Sequence, residues 1–288
     1  MRNLITFRHY LSGLFPSKNQ FRSSSWLAVF LLALSLTGGW SRAQAETSET
    51  APPRLKNLLV QLDAAANKHD VNAVMQFYSQ NFINSDNLTH SSMQKTLTQL
   101  WQRYPQMKYQ TQLQSWKPEG NAILAQTVTN ITGTQADNRN MVLNSNIKSQ
   151  QRFQGGKIIR QDILSERSQL SAGAKPPTVQ VNLPQQVKTG QHYEFDAIDQ
   201  QPLGDDYLLG AAIEEPVQAD KYVKLTPVQL ELLTAGGLFK QGQAPAKAQS
   251  LWVSAVLIRG GGMTMVTQRL RVVDGKVTAD SIPPKNSF

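Results

Sequence analysis

"KHDVNAVMQFYSQNF", residues 68–82, sets how the first half of this chain folds. It places His69 and Asp70 directly before an apolar run, and the pair reads either as chemistry or as the start of a helix. The residues on either side favour the helix start. Upstream, Leu55, Leu58, Leu59, Leu62, Ala65 and Ala66 recur at helical spacing and form one apolar stripe. "NKHD" interrupts that stripe, and Val71, Val74, Met75, Tyr78 and Phe82 then resume it. A second helix is therefore predicted from Val71 to Phe82. A short carboxylate at Asp70 suits its first free backbone N–H groups and the positive end of its dipole. Asp70 is thus expected to be a cap, with His69 closing the turn before it near the surface.

Further along, "SSMQ" (Ser91 to Gln94) resembles a capping box for a third helix. Met93, Leu97, Leu100, Trp101 and Tyr104 line one of its faces, and Pro105 ends it. Alternating segments follow. Tyr109, Thr111 and Leu113 share one face, as do Ile123, Ala125, Thr127, Thr129 and Ile131 after the turn at "KPEGN". Met141, Leu143, Ser145, Ile147 and Phe153 mark another strand, and "QGGK" turns the chain into "IIRQDILSER". Three helices followed by long antiparallel strands predict an α+β arrangement, with the helices on one face of a curved sheet.

The two ends of the chain read differently. Arg2, Arg8, Lys18 and Arg22 precede the uncharged run "WLAVFLLALSL" (Trp26 to Leu36), and "AQA" (Ala43 to Ala45) supplies small residues for a cleavage site. That order of parts predicts a secretory signal peptide over residues 1–45. The run is 11 residues long, well short of the ~20 that span a bilayer as a helix, so no membrane span is expected after cleavage. The chain's destination would be the periplasm, a thylakoid lumen or the extracellular medium. Removing this leader's basic residues, Arg42 included, lowers the formal charge from +9 to +4. No basic run with interleaved aromatics remains, which argues against a nucleic-acid partner. Polar residues 46–53 are expected to be a disordered linker.

"SAGAKPP" (Ser171 to Pro177) reads as a second linker, separating residues 54–170 from residues 178–288. Beyond it, "TVQVNLP", "HYEFDAI", "YLLGAAIEEPV", "LWVSAVLIR" and "GMTMVTQRLRVV" are short strands between Gly- and Pro-containing turns. They predict an all-β, sandwich-like domain.

Helix, "HD" turn, helix, "DNL" loop, third helix and strand meander resemble the nuclear transport factor 2-like (SnoaL-like) superfamily over residues 54–170. The whole chain also resembles exported cyanobacterial-type proteins that join such a domain to a C-terminal β-domain. The first resemblance implies a cone with a pocket between helices and sheet, used by some members for catalysis and by many for binding or assembly. It makes Tyr78, Asp86, Trp101, Tyr104, Tyr109, Arg152, Asp162 and Glu166 the pocket candidates. Each has a plainer reading. Tyr78, Trp101 and Tyr104 fall on helical stripes and fit a core; Asp86 in "NSDNL" fits a turn. Arg152, Arg160, Asp162, Glu166 and Arg167 fit cross-strand ion pairs. The ketosteroid isomerase arrangement of an Asp base opposite a Tyr and a protonated Asp does not map onto these residues.

The chain has no cysteine, which excludes disulfides, thiolate catalysis and Cys-based zinc sites. Outside the leader the histidines are His69, His90 and His192, with no HxH or HExxH spacing, so no metal is expected. No GxSxG, phosphate-loop or GxGxxG pattern occurs, and no cofactor is expected. The favoured function is an exported, non-catalytic protein that binds a small apolar ligand or a protein partner. Two alternatives stand beside it: a pocket enzyme of isomerase, dehydratase or hydrolase type, and an envelope assembly protein that forms a homodimer through its open sheet face.

Overall fold

The computed structural model describes residues 45–134, 141–222 and 226–275. The leader expected over residues 1–45 lies outside them apart from Ala45. In chain order the elements begin with β1 (Glu46–Thr47), α1 (Pro53–Asn67), α2 (Val71–Met75), β2 (Tyr78–Asn84) and α3 (His90–Arg103). The strands β3 (Lys108–Glu119), β4 (Ala122–Thr134), β5 (Val142–Gln154) and β6 (Lys157–Gly173) follow. The remainder is β7 (Val179–Asn182), β8 (Gln186–Lys188), β9 (His192–Asp199), β10 (Leu209–Pro216), β11 (Glu231–Leu232), β12 (Gly237–Gln243), β13 (Gln249–Arg259) and β14 (Gly262–Val273).

The expectation of an α+β cone followed by a separate all-β sandwich is overturned. One 11-stranded sheet runs through both halves in the order β1-β3-β4-β5-β6-β14-β13-β10-β11, with β2 and β8 attached to β6 and β14. A second sheet has three strands, β12-β9-β7. Among the described residues, strand far outweighs the three α-helices. The joint lies where a linker was expected. Ser171, Ala172 and Gly173 belong to β6 and pair with Thr264, Met263 and Gly262 of β14. Their smallness serves a close approach: a Cβ on Gly173, whose φ is +102°, would stand 2.5 Å from the Cα of Gly262. Residues 46–50 are likewise ordered, with Glu46 and Thr47 paired to Trp116 and Ser115 and a 3-10 turn after them.

The helix predicted through Phe82 stops at Met75, and Tyr78–Asn84 is a strand running parallel to β6. Tyr78 and Phe82 are four residues apart, a spacing that puts both on one face of either a helix or a strand. Both are buried, and so is Asn84, whereas Gln80 between them is exposed where the register with β6 shifts. Asp70 caps α2 as expected, accepting from the Ala73 N–H at 2.9 Å. The third helix starts earlier than predicted. Thr89 caps it and Ser92 completes the capping box, in place of Ser91 and Gln94.

Two parts of the sheet carry a packed hydrophobic layer. Leu251, Val253, Ala255 and Leu257 of β13, with Val266 and Leu270 of β14, pack with Tyr193, Phe195 and Ala197 of the second sheet. Their odd–even partners on β13, Trp252, Ser254, Val256 and Ile258, point to the opposite face. The leucine stripe of α1 packs with Ala125, Phe153 and Ile158 of the large sheet.

Candidate functional site

The side chains of α1 pin it to the edge of β3. Asp63 accepts from the Thr111 N–H at 2.6 Å and from its hydroxyl at 2.7 Å. Asn67 both accepts from the Tyr109 N–H at 2.8 Å and donates to its carbonyl at 2.9 Å. These contacts satisfy backbone groups that an edge strand would leave open. Just beyond, His69 takes a φ of +54°, bonds through Nε2 to the Met107 carbonyl at 2.9 Å and stacks on Trp101 with centroids 5.1 Å apart.

Between α1, α3 and the sheet lies a cavity of about 200 Å³. Ala66, Val74, Leu88, Leu97, Leu100, Ile131, Ile147 and Ile163 supply its apolar wall. Of the sequence candidates, Tyr78, Trp101 and Tyr109 line it. The Trp101 indole donates to the Tyr109 hydroxyl at 2.8 Å. Burial pushes the Tyr78 phenol up to about 12, with Tyr109 and Asp63 adding to the rise. Burial likewise pushes Tyr109 up to about 12, against the Trp101 hydrogen bond. Both rings are therefore neutral at physiological pH. Gln151, 4% exposed, lines the same cavity, and its side-chain oxygen is buried without a hydrogen-bond partner.

Next to the cavity sits a buried polar cluster joining residues far apart in sequence. Arg269, 1% exposed, donates to both oxygens of Asp86 at 2.7 and 2.8 Å and to Glu166 at 2.8 Å. The Trp252 indole donates to Glu166 at 3.0 Å, and the Tyr222 hydroxyl to Asp86 at 2.5 Å. Tyr222 meets Trp252 edge to face at 4.8 Å and also lines the cavity. Burial works against the Arg269 charge, but Glu166 and Asp86 outweigh it and hold its pKa above the ordinary value. Burial, then Glu166 and Asp86, raise Tyr222.

Glu166 thus belongs to this cluster. Tyr104 lines a neighbouring groove on the sheet face. Arg152 and Asp162 stand apart from both, paired with Glu119 at 3.3 Å and with Arg160 at 2.7 Å. Asp86, which fits a turn by sequence, is the buried anion of the cluster. Arg269, Tyr222, Trp252, Asp63 and Gln151 carried no sequence signal of a site, since their partners lie in other elements. Among the described residues no three His, Asp or Glu side chains converge as metal ligands. No helix among them is long and apolar enough to cross a membrane.

A family described as a domain of unknown function (DUF8623) matches residues 174–273. No curated protein matches the chain. Solved structures similar to part of it include Bd1075 of Bdellovibrio bacteriovorus, 18% identical, with 38% of each chain covered and a TM-score of 0.30. An NTF2-like protein of unknown function from Pseudomonas putida KT2440 is 16% identical, over 41% of this chain and 87% of that one, with a TM-score of 0.30. A variant of Rv3472, a protein of unknown function from Mycobacterium tuberculosis, is 11% identical over 38% of this chain and 68% of that one, with a TM-score of 0.30. The chain spans 38% of the Bd1075 chain. At these scores the likenesses assign neither fold nor function.

Proposed function

We propose that this is an exported binding protein whose cavity under α1 and α3 takes a small apolar molecule bearing one hydrogen-bond donor. The observation that carries the reading is Gln151: its oxygen is buried, unpartnered and set in the lining of a cavity whose wall is mostly apolar. A buried acceptor left unpaired costs about 1–3 kcal/mol, and a ligand N–H or O–H recovers it. The volume, about 200 Å³, suits one or two rings, since an apolar cavity of ~150 Å³ holds benzene. Binding without chemistry is the simpler reading because Asp63 is committed to Thr111 and the lining phenols are neutral. Export rests on the basic n-region, the apolar run and the Ala43–Ala45 cleavage site. Intact mass of the protein from its own cells tests that part, with Glu46 as the expected first residue.

Calorimetry with p-cresol and toluene tests the cavity. The cresol is expected to bind at least about tenfold more tightly, the worth of one buried hydrogen bond. Gln151→Leu should erase that preference, and Ala66→Leu, which fills the cavity, should abolish both. Equal affinities in the unaltered protein, or binding that survives Ala66→Leu, would sink the proposal.

A further inference from the structure

A second site lies on the same sheet face, beyond the end of α3. It is a groove of about 500 Å³, within the usual size of small-molecule sites. Its floor is the face of β13 and β14 that points away from the second sheet, and its far wall is built by Thr226, Val228 and Leu230. Tyr222 and Leu100 line both this groove and the cavity.

Strand register arranges the floor in bands. One row aligns Ser254, Thr267 and Ser168, which line the groove, with Ser145 next to them on the neighbouring strand. The next row aligns Val256, Met265, Leu170 and Leu143. On the other side of the hydroxyl row stand Trp252, Arg269 and Glu166. The floor therefore grades from charged to hydroxyl to apolar in steps of roughly 7 Å, two residues along a strand. The hydroxyls pair at 2.8 Å, Ser145 with Ser168 and Ser254 with Thr267. Each pair uses one proton and keeps a second to donate.

The charges decide what the hydroxyl row can receive. Arg269 is shared between two carboxylates, and Lys221 is paired with Glu215 at 2.9 Å. The charged residues that line the groove balance, Glu166 and Glu215 against Lys221 and Arg103, and Arg103 is itself engaged. An anionic headgroup finds no excess of positive charge there to offset its desolvation, whereas a neutral oxygen can accept from the hydroxyls. Nor does a second copy of the chain fit well. A stable protein interface needs about 800 Å² from each partner, and this floor is recessed between α3 and the 226–230 wall.

We infer that this groove binds a neutral, elongated amphiphile, its apolar chain along the Val256–Met265–Leu170–Leu143 row and its carbonyl or hydroxyl oxygen on the serine–threonine row. The groove shares Leu100 and Tyr222 with the cavity, but its floor is built of other residues and the inference stands on different observations.

The test is displacement of the neutral dye N-phenyl-1-naphthylamine from the purified protein by hexadecan-2-one, palmitate or hexadecane. The ketone is expected to displace the dye at concentrations at least tenfold below those of palmitate. Thr267→Val and Ser254→Ala should each weaken the ketone severalfold and leave hexadecane unchanged. Met265→Glu should abolish dye binding; should it fail to fold, Leu143→Glu, nearer the rim, replaces it. Ala66→Leu, which fills the cavity, should leave displacement intact, so failure here and failure of the cavity reading are distinguishable. Palmitate competing as well as the ketone, or dye binding unchanged in the folded glutamate variant, would overturn the inference.

Discussion

Arg269 and Asp86, 183 residues apart in sequence, meet through two parallel hydrogen bonds of 2.7 and 2.8 Å, out of reach of solvent. The pair ties the turn after β2 to β14, and Glu166 of β6 completes it.

Removing the cation alone leaves two buried carboxylates uncompensated. Arg269→Met is expected to destabilise the protein by about 3–5 kcal/mol, measured as a lower urea midpoint. Adding Asp86→Leu and Glu166→Leu removes the stranded charges as well. The triple variant should then recover most of the loss, and a triple no more stable than the single would refute the account.

Asp63 gives a smaller and more local effect. Asp63→Ala strips the Thr111 N–H of its acceptor, at a cost of roughly 1–3 kcal/mol. Amide exchange at Thr111 should accelerate more than at Val128 or Ala125, which lie inside the sheet.

Alkaline titration reports on the cavity. Tyr78 and Tyr109 rise from 10.0 to about 12 in the folded state, so the unfolded chain loses these protons first. The stability they support is present in full below pH 10 and is lost as the pH climbs to about 12. It amounts to roughly 2–3 kcal/mol per ring at most. Absorbance at 295 nm should show these phenols ionising late and together with unfolding. Tyr78→Phe should flatten the stability profile above pH 10.

Two glycines separate backbone strain from crowding. Gly120, at a φ of +61°, has nothing within 4 Å of an added Cβ, whereas Gly173 has the backbone of Gly261 and Gly262 at 2.5 Å. Gly120→Ala should cost about 1 kcal/mol and Gly173→Ala about 2–4 kcal/mol, compared by thermal melting.

Local features of this fold could be read directly. The α1 stripe, the Asp70 cap and the alternation in β3 and β4 are contained in a few consecutive residues. The rest depends on contacts between distant segments. Tyr78 and Phe82 satisfy helical and strand periods alike, so only pairing with Ile158 and its neighbours makes β2 a strand. Ser171–Gly173 has the composition of a linker because close strand packing also demands small residues. Asp86 has a turn's neighbours and a core residue's partner. The unpaired oxygen of Gln151 follows from which side chains fail to reach it, and no pattern along β5 records that.

The length of β6 carries one more consequence. β5 pairs with β6 along nearly its full length, while β14 takes the opposite edge only over Arg167–Gly173. The family match at residues 174–273 begins one residue past that seam. A fragment cut there would present the ladder groups of residues 262–268 to solvent, a template for strand addition by another molecule. It should therefore self-associate more readily than the longer chain does, measured by light scattering at equal concentration.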